Sequence, residues 1–272
     1  MATTVKLISL NVSLFDENNE KLIHFLATER PDIVCLQEVS RKVDESAFDI
    51  FISKASIDNA TLELSYSFFA PNWALRDFRQ PNFHGKEFFE YDFGGLIEYG
   101  NYVKSRFKII SGKSVFVQGN FSYIVDWESF TKHPGEEPRT VEVTDLQIDT
   151  KNVRFLNYHG IWSKDKKGTD RTESASKHLL QIASEIAYPT IICGDFNLFP
   201  DTNSIKILET RFRSLVDEFN IMHTRPKSNE LSGLKRNVVD YIFVDKDISV
   251  KKFEVINTDT SDHFPLLVEF QI

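Results

Sequence analysis

Apolar residues along this chain fall into short runs separated by turn residues, and the runs follow two different periods. Val5, Leu7, Ile8, Leu10 and Val12 make 5–12 a buried strand. Residues 17–29 carry Leu22, Ile23, Phe25 and Leu26 on one helical face. Pro31 stops that helix, and 32–37 forms a second strand. The order returns later. Leu179, Leu180, Ile182, Ala183 and Ile186 give 172–187 helical spacing, Pro189 ends it, and 190–193 is a strand leading into Asp195. Helix, proline, buried strand and acidic residue thus occur twice, which suggests two similar halves with a site between them. Segments 96–97, 115–117, 123–125, 141–148 and 153–158 read as strands in between. A short helix at 203–210 and strands at 238–244, 252–256 and 266–271 follow. Strands outnumber helices and the order is mixed, so the expected class is α/β, with two packed sheets and helices outside them.

Composition adds three constraints. A length of 272 residues fits one domain with a sizeable core, and no linker or low-complexity run divides it. A net charge of −8 argues against non-specific duplex binding, which works by counterion release from a basic face. Cys35 and Cys193 both lie in apolar runs and are expected to be buried, reduced thiols. The chain enters a strand pattern at once, without a signal peptide, and no apolar stretch reaches the roughly 20 residues of a membrane span. A cytoplasmic, monomeric protein is the expectation.

The candidate chemistry sits at the ends of these strands. Glu38 follows one strand and Asn11 another. A carboxylate beside a carboxamide suits a hard cation such as Mg²⁺, which takes oxygen ligands. Asp195 and Asn197 are two residues apart and point to one side of an extended segment. Asp240 and His263 have the makings of a carboxylate–imidazole pair. Taken singly, each string also fits an ordinary surface turn.

Together the strings carry more. Ser9-Leu10-Asn11, Leu36-Gln37-Glu38-Val39, Gly100-Asn101-Tyr102-Val103-Lys104-Ser105-Arg106, Asn157-Tyr158-His159, Gly194-Asp195-Phe196-Asn197, Val239-Asp240-Tyr241-Ile242-Phe243-Val244 and Ser261-Asp262-His263-Phe264-Pro265 span nearly the whole chain. In this order they resemble the DNase I-like endonuclease/exonuclease/phosphatase superfamily. The resemblance implies a four-layer α/β/β/α sandwich of two mixed, mostly antiparallel sheets, with the site at one edge. It implies Glu38 as principal ligand of Mg²⁺, or of Mn²⁺ in its place, with Asn11 beside it and Asp262 near the metal. It implies that Asp195 orients or deprotonates the attacking water and that Asn197 positions water and phosphate. Asp240 and His263 then stabilise developing charge, as does His159, whose position holds a histidine in the DNase- and sphingomyelinase-like branches. Arg171 matches a substrate-binding arginine of many members. Ser9-Leu10 and Tyr102-Val103-Lys104 depart from the common pattern and leave the subfamily open.

Two segments are candidates for reading the substrate. Between residues 66 and 93 lie ten aromatics, with Arg76, Arg79, His84 and Lys86 among them. Pro71, Pro81 and Gly85 suggest a loop insertion at about 71–93 whose Trp73, at a loop tip, stacks on a base while Arg76 and Arg79 hold phosphate. Core packing under a long loop is the competing account of these aromatics. Lys164, Lys166 and Lys167 form a second basic loop after His159, with Lys164 as the substrate contact. The expected activity is Mg²⁺-dependent hydrolysis of a phosphodiester in DNA or RNA, or at one of their ends. The alternatives are a small-molecule or lipid phosphoesterase, and a non-catalytic binding protein.

Overall fold

The computed structural model describes residues 3–13, 19–43, 53–76, 96–124, 132–133, 135–226 and 235–272. Thirteen strands among them form two sheets. Strands β1 (Val5–Asn11), β2 (Ile33–Lys42), β3 (Tyr66–Arg76), β4 (Leu96–Ser105), β6 (Tyr123–Ile124), β12 (Ser249–Val255) and β13 (Leu266–Gln271) build the first, in the order β12-β13-β1-β2-β4-β3-β6. Strands β5 (Lys108–Gln118), β7 (Arg139–Ile148), β8 (Lys151–Tyr158), β9 (Thr190–Asp195), β10 (Arg213–Ser214) and β11 (Asp240–Val244) build the second, in the order β10-β11-β9-β8-β7-β5. Pairings are antiparallel except β1–β2, β3–β6 and β8–β9.

Each sheet therefore contains one strand–helix–strand crossover. Helix α1 (Asn19–Glu29) joins β1 to β2, and α3 (Asp170–Ser184) joins β8 to β9. The repeated order in the sequence corresponds to these two units, and both run into an acidic residue, Glu38 and Asp195. Thr169 caps α3 by accepting the Thr172 N–H, while the Thr172 hydroxyl accepts the Thr169 N–H. Helix α2 (Lys54–Ala60), which periodicity did not reveal, packs near α1. Helices α4 (Asn203–Glu209) and α5 (Leu215–Glu218) follow among the described residues, with α4 against α3.

Burial explains the layering. Val5, Leu7, Ile33 and Val103 from the first sheet share a core with Phe155, Ile191, Ile242 and Val244 from the second. Leu179, Ile182 and Ala183 bring α3 into the same core, on the far side of the second sheet. Ile8, Leu10, Val34 and Leu36 point the other way, toward Leu22 and Leu26 of α1 and Ile57 of α2. The result is the expected helix–sheet–sheet–helix sandwich. Cys35 and Cys193 are buried free thiols, and no helix among the described residues is long and apolar enough to cross a membrane.

One expectation needs correction. Residues 66–76 form a continuous strand, not the start of a loop. Pro71 is accommodated because β3 bulges between Pro71 and Trp73, and β6 pairs with it only at Ala74 and Leu75. Trp73 is no loop tip: it is 3% exposed and stacks on Tyr99 at 4.3 Å between ring centroids. The remainder of the aromatic segment, including Phe78 and Arg79, lies outside the described residues, as does the Arg76 side chain.

Candidate active site

The edge at which β1, β8 and β9 end, β11 begins and β2 bulges gathers the acidic, amide and imidazole groups. β2 reaches it through a bulge between Leu36 and Val39, where Glu38 takes a left-handed φ of 63°. That strain is supported from the opposite sheet. The Asn157 amide donates to Leu36 O at 3.0 Å and to Glu142 Oε2 at 2.7 Å, and its carbonyl accepts Gln37 Nε2 at 2.7 Å. Asn157 thus clamps the bulge that turns Glu38 into the cleft. Asn11 at the end of β1 donates through Nδ2 to Glu38 Oε1 at 3.0 Å and to Asp195 Oδ2 at 3.1 Å. One carboxamide therefore links the acidic ends of the two crossover units.

Asp195 ends β9 after Gly194, whose φ is 136° and where a Cβ would stand 2.0 Å from Tyr158 O. Only glycine fits there. Asp195 Oδ1 accepts the Asn197 N–H at 2.7 Å. Its Oδ2 lies 3.7 Å from His263 Nε2 and 3.8 Å from His159 Nε2. Burial alone would raise its pKa, but the two histidines, Lys166 and the Asn197 N–H together hold it down to about 2. It is a carboxylate throughout the physiological range.

His263 Nδ1 sits 2.9 and 3.0 Å from the two Asp240 oxygens. Burial opposes its charge, yet Asp240 and Asp195 raise its pKa to about 9. Asp240 itself is pushed upward by burial and by Asp195, which outweigh the pull of His263. Two carboxylates act on one imidazole, so the proton belongs to His263. Asp195, Asp240 and His263 lie close enough together to share a metal ion. With the proton on His263, the trio forms a carboxylate–imidazolium–carboxylate chain.

His159, after β8, is buried and held the other way. Arg139 lies 3.1 Å from its Nδ1, and burial and Arg139 keep its pKa well below the usual histidine value. Its Nε2 is 3.6 Å from Glu38 Oε1.

The remaining expected residues divide by exposure. Asp262 is half-exposed, its carboxylate bound by Arg225 at 2.7 Å, with Oδ2 3.9 Å from His263 Nε2. Arg171 and Lys164 are exposed, and Arg171 pairs with Glu136 at 3.3 Å. Lys166, two residues on from Lys164, is buried instead. Its ammonium donates to Asn197 Oδ1 and lies 5.1 Å from the Trp162 ring centroid. Burial lowers its pKa to about 8. The basic loop thus contributes a different lysine from the one expected, because the chain turns through Lys166 with φ 56°. Arg139 gave no sequence signal beyond being an arginine at the start of a strand.

A carboxylate half in solvent, a second carboxylate kept ionised, one charged and one neutral imidazole, and an oriented carboxamide are suited to attack at a phosphate. Comparison with known proteins agrees. Over its full length the chain superposes on an endonuclease/exonuclease/phosphatase from Bacteroides vulgatus, at 14% identity and a TM-score of 0.70, covering 99% of each chain. The human Nocturnin catalytic domain with bound sulfate matches at 16% identity and a TM-score of 0.67, over 98% of this chain and 93% of that one. D. rerio TDP2 complexed with a single-strand DNA product matches at 15% identity and a TM-score of 0.67, over 99% and 100%. These likenesses concern the fold. A family model described as the endonuclease/exonuclease/phosphatase family matches residues 8–263, and the chain belongs to that family.

Proposed function

We propose that the protein is a Mg²⁺-dependent phosphoesterase that hydrolyses a phosphodiester, with a DNA or RNA strand or end as substrate. The observation that carries this reading is Asp195: one buried carboxylate touches Asn11 and the Asn197 N–H and faces both imidazoles. Glu38 offers carboxylate oxygens of the kind a hard cation requires, and its side chain is 22% exposed. Glu38 would hold Mg²⁺, with Mn²⁺ as a substitute. Asn11 and Asp262 are the proposed further ligands. Asn11 would serve through Oδ1, which in this structure accepts the Ser13 N–H at 3.0 Å. A bound cation would neutralise phosphate charge and acidify water.

The protein groups have separable roles in this reading. Asp195 accepts a hydrogen bond from the attacking water and aligns it with phosphorus. With a pKa of about 2 it is a weak base, so it takes the proton only as attack develops. The His263 imidazolium, oriented by Asp240, donates to an oxygen that gains charge in the transition state. His159 Nε2 and the Asn197 amide donate to the other phosphate oxygens. Lys166 assists by holding Asn197 Oδ1; the amide N–H₂ donates one hydrogen to Gly160 O at 3.4 Å and keeps the other for substrate. Lys164, Arg171, Arg76 and Arg79 are proposed contacts to the rest of the substrate. Trp73, being buried, is withdrawn from that set.

A substrate panel tests the proposal: single-stranded DNA, RNA, 5′-end adducts, bis-nitrophenyl phosphate and phosphoinositides, each with Mg²⁺ and with excess EDTA. EDTA-sensitive turnover of nucleic acid is the expected result. Turnover of phosphoinositides alone would move the protein to the lipid class. Full activity in EDTA would overturn the metal-dependent mechanism.

A further inference from the structure

The two site histidines are wired by opposite partners. His263 gives Nδ1 to a carboxylate, whereas His159 gives Nδ1 to a guanidinium. A guanidinium carries five donors and no acceptor. The Arg139 contact at 3.1 Å is therefore a hydrogen bond only if Nδ1 bears a lone pair. The Tyr99 hydroxyl, 3.5 Å from the same nitrogen, is a second potential donor. The ring proton must then sit on Nε2, the nitrogen that faces Glu38 and Asp195. Protonating Nδ1 as well would set two N–H groups and two cations head to head in a buried space.

The surroundings hold this arrangement in place. Arg139 is 5% exposed, and its Nη2 lies 3.6 Å from a Glu137 carboxylate oxygen. Tyr99 is fixed by its stack on Trp73. Buried Trp73 thereby backs the wall behind His159.

We propose that Arg139 is a positioning residue that locks His159 as the neutral Nε2–H tautomer. His159 is then a fixed hydrogen-bond donor to the substrate and carries no proton between groups. The donor role rests on the phosphoesterase reading given above; the tautomer does not.

Two-bond ¹⁵N–¹H correlation spectra of the histidine rings, recorded at neutral pH with and without Mg²⁺, test the tautomer directly. Wild type and Arg139→Lys, which keeps a donor, should show His159 with its proton on Nε2. Arg139→Met should give a mixed or shifted pattern. A wild-type His159 protonated on Nδ1, or on both nitrogens, would overturn the proposal. So would an Arg139→Met spectrum identical to wild type. Should Arg139→Met fail to fold, the wild-type and Arg139→Lys spectra still decide. Kinetics test the donor role. The amide nitrogen of glutamine reaches about where Nε2 stands, so His159→Gln should keep kcat within roughly tenfold of wild type, while His159→Ala should lose roughly a hundredfold. Equal losses in both would show that His159 moves a proton. If wild type cleaves no phosphodiester, the function proposed above fails while the spectra still judge Arg139.

Discussion

Asp195 shows how much of the site rests on single side chains and their immediate partners. It is nearly inaccessible, yet its neighbours hold it ionised. Asp240 and His263 form a hydrogen-bonded pair beside it, which we propose acts as one functional unit. Asp240→Asn and His263→Ala should each lower kcat by at least about a hundredfold, and the double variant should be little worse than either. Multiplicative losses would count against the pair. Lys166→Met should lower kcat roughly tenfold while leaving Mg²⁺ affinity in place, because it frees the Asn197 amide to rotate. Unchanged kcat would remove Lys166 from the site. Trp73→Ala should cost about 3–5 kcal/mol of stability, as expected for a buried aromatic, and slow all substrates alike. Chemical denaturation with a two-substrate assay reads both outcomes. Most of these residues were legible in the sequence: Glu38, Asn11, Asp195, Asn197, Asp240 and His263 stand in short strings at strand ends. Lys166 was legible only as one of three lysines, since no period tells which side chain of a loop turns inward. Arg139 was not legible, because its partner His159 is 20 residues away, just past the end of the next strand.

At the scale of elements, two backbone features aim the carboxylates. Gly194 admits a φ of 136° directly before Asp195, and the β2 bulge places Glu38 at a φ of 63°. Gly194→Ala should destabilise the protein by more than about 2 kcal/mol, since it adds strain and drives a Cβ into Tyr158 O. A melting temperature equal to wild type would contradict that close approach. The paired helix–proline–strand units were readable because periodicity and Pro31 and Pro189 mark their boundaries. β3 was misread because proline and dense aromatics imitate a loop; the bulge at Pro71–Trp73 and the stack on Tyr99 are tertiary facts. The Asn157 clamp was likewise invisible, since its partners come from the opposite sheet.

Across the whole molecule, packing two sheets face to face lets strand ends 184 residues apart in sequence share one cleft. Asn11 meets Asp195, and the Ser261 hydroxyl donates to Asn11 O at 2.7 Å. The same convergence couples stability to pH. His263 has a folded pKa of about 9 against an ordinary 6.5, so its contribution is fully present below about 6.5 and is lost as pH rises through about 9. Asp195 has a folded pKa of about 2 against 3.8, so its contribution is present above about 3.8 and is lost as pH falls toward 2. Asp240→Asn should flatten the alkaline decline, and urea titrations from pH 6 to 10 read it. An equal decline in both proteins would mean that His263 is not charged by this pair. The central claim is that this cleft hydrolyses a phosphodiester with a cation held on Glu38. Its most direct test measures Mg²⁺ affinity by calorimetry and bis-nitrophenyl phosphate turnover on the same samples of wild type and Glu38→Gln. The account predicts that wild type binds Mg²⁺ and turns over, and that Glu38→Gln loses both while keeping its melting temperature. A Glu38→Gln protein that binds Mg²⁺ and cleaves as wild type does would contradict it.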